Sequence, residues 1–156
     1  MPRVARSAAG TVETMIGAMK KFFAGLASLL LLAEVVQFYL AASGAFDTAP
    51  REDAFSPHRA LGYVILLVAV VSVVVAALAR VPGRLIGTMG LAAGLVLMQS
   101  LIFEIAKSFG EGSEAGHLIF GLHAVNGLAI LGVTLRVVLQ SRQLAWQRAE
   151  FRATRS

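Results

Sequence analysis

Four long stretches of apolar residues dominate the pattern of hydrophobic and polar positions along this chain. Residues 22–46 contain one acidic or basic residue, Glu34, and residues 60–79, 85–103 and 115–135 contain no Asp, Glu, Lys or Arg. A transmembrane helix needs about 20 mostly apolar residues in succession. The pattern therefore predicts an all-α fold, an integral membrane four-helix bundle that forms a single domain over residues 1–156. The predicted spans cover about residues 22–45, 58–79, 85–105 and 116–139.

Lysine and arginine residues are divided unequally between the two sides of these spans. Eleven lie on the side of the two termini, and only Arg51, Arg59 and Lys107 lie on the other side. Basic residues concentrate on the cytoplasmic side of membrane proteins. We therefore predict that both termini are cytoplasmic, with short amphipathic arms, in a multi-pass protein of the bacterial cytoplasmic (inner) membrane.

The amino-acid composition agrees with a membrane location and excludes several classes of function. The chain is 57% hydrophobic, which lies outside the usual range of soluble domains. The net charge of +5 follows from the topology and favours anionic lipid, so the lipid bilayer is the expected partner and nucleic-acid binding is not expected. The absence of cysteine excludes disulfides, thiol catalysis and covalent attachment of a c-type haem.

The spans also contain a weak internal repeat. Spans one and three each carry a glutamine in their outer half, Gln37 and Gln99, whereas spans two and four each carry a histidine followed four residues later by a glycine. Short loops make consecutive spans antiparallel neighbours, so the repeat consists of two hairpins of the same orientation. Such hairpins predict a pseudo-twofold axis along the membrane normal.

Glycine and proline residues add two local predictions. Gly87, Gly90 and Gly94 form a stripe on span three, and small residues at this spacing predict the close approach of a neighbouring helix. Pro50 and Pro57 in the first outer loop predict an irregular backbone there, and Pro57 suits the first turn of span two.

The two elements His58 with Gly62 and His123 with Gly127 are the candidate cofactor-binding elements. A membrane interior disfavours polar side chains, so a histidine there generally serves a function. Neutral imidazole is an axial ligand of haem iron, and a glycine one turn later on the same helix face leaves space for the porphyrin. We therefore predict one haem b, with His58 and His123 as the iron ligands on opposite sides of the bundle axis.

His117 is the alternative ligand on span four. It matches His58 in depth if Arg136 marks the inner membrane edge, whereas His123 matches if Arg142 marks that edge. His117 and His123 point about 120° apart on one helix, so they do not serve one ring equally. We prefer His123 because it has the glycine. A simpler alternative is that the histidines cap helices and the glycines are packing points, and the spread of the three histidines disfavours a zinc site.

Further polar residues are candidates for supporting roles. Gln37, Gln99 and Asn126 could orient the imidazoles or form hydrogen bonds across helices. Arg59 could pair with a haem propionate or be a solvated surface charge. Glu34 is expected to face the bundle interior. It could take up a proton or, more simply, be a protonated carboxyl group that is hydrogen-bonded to a neighbour.

Three segments, QFYLAASGAF, FSPHRALGYVILL and GLHAVNGLAILG, resemble a family of small bacterial four-helix membrane proteins of unknown function over about residues 30–137. This resemblance implies the fold and no activity. More distantly, the arrangement resembles four-helix membrane cytochromes b, including the cytochrome b561 group and the halves of haem A synthase. That likeness implies a haem held between histidines of neighbouring helices. A cytochrome b561 carries two haems and four paired histidines, whereas this chain has histidines for one bis-histidine haem at most. The most specific elements of the resemblance to the family of unknown function are Gln37, His58, Gly62, His123, Asn126 and Gly127.

Three hypotheses for function follow from these observations. The leading one is a membrane b-type haem-binding protein for electron transfer or for haem or gas handling near the outer face, with a quinone or a redox protein as candidate partner and a homo-oligomer as candidate assembly. The alternative is a non-redox membrane module without a cofactor, such as an accessory subunit, a lipid-binding protein or a small transporter. An enzyme acting on a lipid or quinone would need Glu34 or Glu104 close to a histidine.

Overall fold

The computed structural model describes the backbone of residues 2–110 and 113–153 and the side chains of residues 10–110 and 113–146. These residues form five α-helices and no strand, which confirms the predicted all-α fold. The helices are α1 (Pro2–Ala45), α2 (Arg51–Ala54), α3 (Ser56–Leu78), α4 (Gly83–Ser108) and α5 (Glu114–Ala153). All but α2 contain a segment that is long and apolar enough to cross a membrane, as predicted.

The first and last helices extend well beyond the predicted spans. Helix α1 has 44 residues and α5 has 40, so each is about 60 Å long or more, roughly twice the thickness of the hydrocarbon core. Both arms are therefore continuous with a membrane helix. The two stretches predicted to be amphipathic, residues 11–23 and 140–156, belong to α1 and, as far as residue 153, to α5. The side chains of residues 1–9 and 147–156 lie outside the described residues.

The connection between α1 and α3 contains the short helix α2. Pro50 precedes it, and the Pro50 carbonyl accepts hydrogen bonds from the backbone amides of Asp53 and Ala54. The prediction of an irregular backbone is therefore wrong for these four residues. Pro57 lies in the first turn of α3, where its missing N–H group leaves no helical hydrogen bond unmade.

The four long helices form a closed ring of neighbours. Helix α1 packs against α3 and α5, and α4 packs against the same two helices. Within the described part of the chain, the diagonal pairs α1 with α4 and α3 with α5 make no close backbone approach. With short connections between consecutive helices, this arrangement is an up-down-up-down bundle.

Each long helix turns one stripe of residues toward the bundle axis. On α3 the buried residues are Ile65, Ala69, Ser72 and Ala76, at steps of four, three and four. Alternating steps of three and four keep side chains on one face and allow the packing typical of antiparallel bundles. The same steps give Phe23, Ala27, Leu30 and Glu34 on α1 and Leu85, Met89, Ala92 and Val96 on α4.

The outward faces of the bundle are apolar as well. Tyr63, Leu67 and Val74 of α3 are all more than half exposed, and similar residues are exposed on the other long helices. Soluble monomers rarely expose continuous apolar surfaces of this extent. The surface is therefore suited to lipid acyl chains, in agreement with a membrane location.

One position of each stripe, near the α2 end of the bundle, is polar. On α1 and α4 it is the glutamine that lies three residues after Glu34 and Val96, respectively. On α3 and α5 it is the histidine that lies seven residues before a buried isoleucine. We call these four residues, Gln37, His58, Gln99 and His123, the polar layer.

The connection between α3 and α4, at the opposite end of the bundle, is a tight turn. Arg80 has a φ of 51°, and its backbone amide donates to the Ala77 carbonyl at 3.0 Å. The Val81 amide donates to the Ala76 carbonyl at 3.2 Å. This pair of hydrogen bonds is a Schellman motif, in which glycine is the usual residue at the position of Arg80.

The glycine stripe of α4 does not contact another helix of the chain. A Cβ atom added at Gly87, Gly90 or Gly94 would meet no atom within 4 Å. Gly87 lies two residues after the buried Leu85, about 200° around the helix, and therefore on the opposite face. The prediction of close helix approach at this stripe is thus wrong within the chain.

Candidate functional site

His58 and His123 meet inside the bundle although their helices make no backbone contact. His58 is the third residue of α3, and His123 is the tenth residue of α5. Their ring centroids lie 6.3 Å apart, and the ring planes are inclined by 50°. Because α3 and α5 are diagonal partners, the two imidazoles approach each other across the bundle axis.

Gln37 holds His58 through two hydrogen bonds. Its side-chain Nε2 donates to the His58 backbone carbonyl at 2.8 Å, and the His58 Nδ1 lies 3.2 Å from the Gln37 backbone carbonyl oxygen. A carbonyl oxygen only accepts, so His58 Nδ1 carries the proton in this contact. Nε2 of a neutral ring then has a free lone pair. Metal-ligating histidines are generally oriented in this way by a hydrogen bond from the other nitrogen.

His123 has a related but incomplete environment. The Gln99 backbone lies beside its ring, as the Gln37 backbone lies beside His58. The contact does not have the geometry of a hydrogen bond, and His123 Nδ1 is buried without a partner. A buried polar atom without a partner costs about 1–3 kcal/mol, so a small shift of this ring that completes the hydrogen bond would be stabilising.

The remaining amides of the site join α4 to α5. Asn126 Nδ2 donates to Gln99 Oε1 at 2.9 Å and to the Leu95 carbonyl at 2.9 Å. Asn126 is one turn after His123 on α5. The two bonds therefore fix the position of α5 against α4 beside the histidine.

Gly62 and Gly127 give room to the glutamine side chains of the polar layer. A Cβ atom at position 62 would lie 3.3 Å from Gln37 Nε2, and one at position 127 would lie 3.4 Å from Gln99 Nε2. The second would also lie 3.2 Å from Cζ of Phe38. Side chains thus occupy the space beside both glycines in which the sequence predicts a porphyrin edge.

Two phenylalanines cover the histidine pair on the side of α2. The Phe120 ring stacks on His123, with centroids 5.4 Å apart and planes inclined by 1°. The Phe55 ring meets His58 edge-on, with centroids 6.2 Å apart. Sequence reasoning missed both residues, although a signal is present. Each phenylalanine precedes its histidine by three residues, so the repeated element is Phe-x-x-His-x-x-x-Gly.

A cleft of about 400 Å³ opens at the α2 end of the bundle beside this cover. Asp47, Arg51, Phe55 and Phe120 are among the residues that line it. The guanidinium carbon of Arg51 lies 6.0 Å from the centroid of the Phe120 ring. Arg59, the residue predicted to pair with a propionate, donates instead to the backbone carbonyl of Glu52.

His117 does not join the histidine pair. It is the fourth residue of α5 and is exposed, about 9 Å from His123 by helical rise. Among the described residues, no group of three or more His, Cys, Asp or Glu side chains is arranged to hold a metal ion. The structure thus brings together His58 and His123 alone.

The spacing of the two rings agrees with ligation of one metal from opposite sides. With metal–nitrogen bonds of about 2.0 Å, two imidazoles in line through a metal have centroids about 6 Å apart, whereas a tetrahedral angle brings them to about 5 Å. The observed centroid distance of 6.3 Å is close to the in-line value, and the ring contact of Phe55 with His58 has the same spacing, 6.2 Å. In-line ligation is what the two axial positions of haem iron require.

Glu34 lies one turn before Gln37 on α1 and is only 4% exposed. Its Oε1 accepts a hydrogen bond of 2.7 Å from the hydroxyl group of the fully buried Thr134 on α5, which sequence reasoning also missed. Its Oε2 has no partner. In the described part of the chain, the buried side-chain atoms without a partner are Glu34 Oε2, Gln37 Oε1 and His123 Nδ1. All three lie in the polar layer or one turn from it.

Comparison with known proteins gives one match. Residues 37–106 match a family described as a family of unknown function (DUF6220). The matched segment begins at Gln37 and includes His58 and Gln99, but it ends before α5 and His123. No curated protein and no solved structure matches the chain. The chain is therefore similar, from the end of α1 through most of α4, to a family of unknown function, in agreement with a small four-helix membrane protein.

Proposed function

We propose that this chain is a multi-pass membrane protein that binds one b-type haem between His58 and His123 and serves electron transfer or haem or gas handling. The observation that carries the proposal is the 6.3 Å separation of two imidazoles from diagonally opposite helices. A haem with two axial histidines supplies a one-electron couple between ferric and ferrous iron.

The polar layer supports both proposed ligands. The Gln37 carbonyl keeps the proton of His58 on Nδ1, which leaves Nε2 free to ligate. On the other side, Gln99 and Asn126 hold α4 and α5 together next to His123. Gly62 and Gly127 themselves present no side chain to a planar ring. The Gln37 and Gln99 amides and the Phe38 ring beside them would have to move for a porphyrin to enter, with loss of the Gln37–His58 and Gln99–Asn126 side-chain hydrogen bonds.

The repeated element supports a symmetric and oriented site. Its two copies lie on the diagonal helices α3 and α5, and the two glutamines of the layer lie on the other diagonal pair, as a pseudo-twofold axis along the bundle requires. With basic residues on the cytoplasmic side, both termini are cytoplasmic and the histidine pair is near the outer face of the membrane. In this orientation the α2 cleft is the approach for a quinone or a redox protein, and Arg51, which lines the cleft, provides positive charge for the haem propionates. Arg59 would do so only after leaving the Glu52 carbonyl.

The visible spectrum of the full chain, purified after expression with ample haem, tests this proposal. We expect a Soret band that is lost in His58→Ala and in His123→Ala and is retained in His117→Ala. Circular dichroism and size-exclusion chromatography establish that each variant is folded. A colourless native protein would overturn the proposal in favour of a membrane module without a cofactor. Loss of the band in His117→Ala but not in His123→Ala would overturn the ligand assignment.

A further inference from the structure

At the end of the bundle opposite the histidine pair, a second cleft lies between the start of α4 and the middle of α5. It has a volume of about 310 Å³. Arg84 and Thr88 of α4 and Arg136, Gln140 and Gln143 of α5 supply its polar lining. Arg84 and Thr88 are one turn apart, as are Arg136 and Gln140, so each helix contributes one face.

The charge of this cleft is not compensated. None of the described residues that line it is acidic. We find no ion pair or hydrogen bond to the guanidinium group of Arg84 or of Arg136 among the described residues. A guanidinium group presents planar paired donors that match the oxygens of a phosphate group. Two such groups from facing helices, with carboxamides beside them, therefore form a site for a phosphate anion.

The surroundings of the cleft favour a phosphate that belongs to a lipid. Leu85 and Leu144 line the cleft on its apolar side. On the same face of α5, one and two turns toward the middle of the span, lie the exposed small residues Gly132 and Ala129. A Cβ atom at Gly132 would meet nothing within 4 Å, so this part of the membrane-facing surface has room for an acyl chain beside the cleft.

We propose that this cleft binds the headgroup phosphate of an anionic phospholipid between Arg84 and Arg136, with an acyl chain along the exposed surface at Gly132. Basic pockets between transmembrane helices are typical sites for such headgroups. This proposal does not depend on haem binding, because the cleft and the polar layer are at opposite ends of the bundle.

The single native tryptophan, Trp146, lies about 200° around α5 from Leu144 and therefore faces away from the cleft, so the probe is a tryptophan introduced by Leu128→Trp together with Trp146→Phe. Leu128 is 61% exposed and lies one turn before Gly132 on the same face of α5. Acyl chains that carry bromine quench tryptophan fluorescence at short range. The full chain is reconstituted in phosphatidylcholine vesicles that contain a small fixed fraction of brominated phosphatidylglycerol or, for comparison, of brominated phosphatidylcholine.

We expect brominated phosphatidylglycerol to quench the introduced tryptophan more strongly than brominated phosphatidylcholine does. The apparent preference should fall about five-fold in Arg84→Gln and in Arg136→Gln, as loss of one basic contact at a membrane surface predicts. Arg142→Gln is the matched control. Arg142 is an exposed arginine of the same helix, six residues after Arg136, but does not line the cleft, so this variant should keep the preference.

Three results would overturn the proposal. An equal loss in Arg142→Gln, or no loss in Arg84→Gln and Arg136→Gln, would show that diffuse basic charge and not this cleft attracts the lipid. Abolition of the preference by inorganic phosphate at constant ionic strength would assign the cleft to a free anion. Both substitutions in the cleft replace exposed side chains, so the fold is expected to persist, and circular dichroism checks it.

Discussion

The two halves of the bundle differ in construction, although the same four helices form both. Toward the α3–α4 turn, the core stripes are closed and mostly apolar, and Phe23, Leu30, Met89 and Val137 are fully buried. The two buried serines of this half, Ser72 and Ser141, each donate to a backbone carbonyl of their own helix. Toward α2, the stripes carry the polar layer, whose four side chains are only half-buried. Between the polar layer and the α2 end of the bundle, Ala106 is the one hydrophobic side chain of the described helices that is buried.

This difference separates residues whose packing holds the bundle together from polar residues whose presence in the bundle is not explained by packing. Membrane helices associate through close van der Waals packing, and the apolar half provides it. The other half keeps buried polar atoms without partners and places aromatic rings on two histidines. Stability alone does not account for such an arrangement, because each unsatisfied buried atom is destabilising. The polar half is therefore the functional half in this account.

The largest expected effect on stability belongs to the apolar half. Phe23→Ala removes a fully buried ring and should lower the free energy of unfolding by about 3 kcal/mol. Unfolding in mixed micelles with increasing SDS measures the change. Phe22→Ala is the control, because this neighbouring ring is 59% exposed toward lipid and should change the free energy by less than about 1 kcal/mol. Equal effects of the two substitutions would contradict the division into halves.

An intermediate effect is expected where the two halves meet. Thr134→Val removes the hydrogen bond to Glu34 while preserving the shape of the side chain, and the carboxyl group then has two unsatisfied oxygens. The free energy of unfolding should fall by about 1–3 kcal/mol. Ser72→Ala is the control, because this buried hydroxyl group donates only to the Val68 carbonyl of its own helix.

The same junction allows a second check on Glu34. Replacing both partners by apolar groups leaves neither unsatisfied, so the double variant Glu34→Leu with Thr134→Val should be more stable than Thr134→Val alone. The same SDS titration measures both proteins. A double variant less stable than Thr134→Val would show that the Glu34 carboxyl group has a further partner.

The smallest effects are expected at the two turns, one at each end. Arg80→Gly places glycine at a φ of 51° in the Schellman turn and should raise the free energy of unfolding by about 0.5–1 kcal/mol. Gly110→Ala, at a φ of 84° after α4, should lower it by about 1 kcal/mol. Opposite signs in the same assay are the expected result, and changes of the same sign would contradict the backbone argument.

Much of the fold was predictable because the length of an uncharged apolar stretch is a local property of the sequence. The four membrane helices follow from it directly. Which face of a helix points into the bundle depends on residues of the other helices as well, and is therefore harder to predict from one stretch of sequence. The glycine stripe at Gly87, Gly90 and Gly94 has the spacing of a packing motif, yet the core residues Leu85 and Met89 determine that it points outward.

The candidate site shows the same limit. The histidines and their glycines are visible as a repeat, and so are Phe55 and Phe120 once the spacing of three residues is noticed. The hydrogen bonds of Gln37 with His58 and of Thr134 with Glu34 join residues 21 and 100 positions apart. Such contacts depend on how the helices cross, which periodicity within one helix does not determine.

The electron paramagnetic resonance spectrum of the oxidised full chain tests the central claim most directly. Two axial imidazoles on one ferric haem predict a low-spin signal, with one haem per chain by pigment extraction. The account predicts that the low-spin signal disappears when either His58 or His123 is replaced by alanine. A high-spin signal in the native protein, or a preparation without haem, would contradict the account.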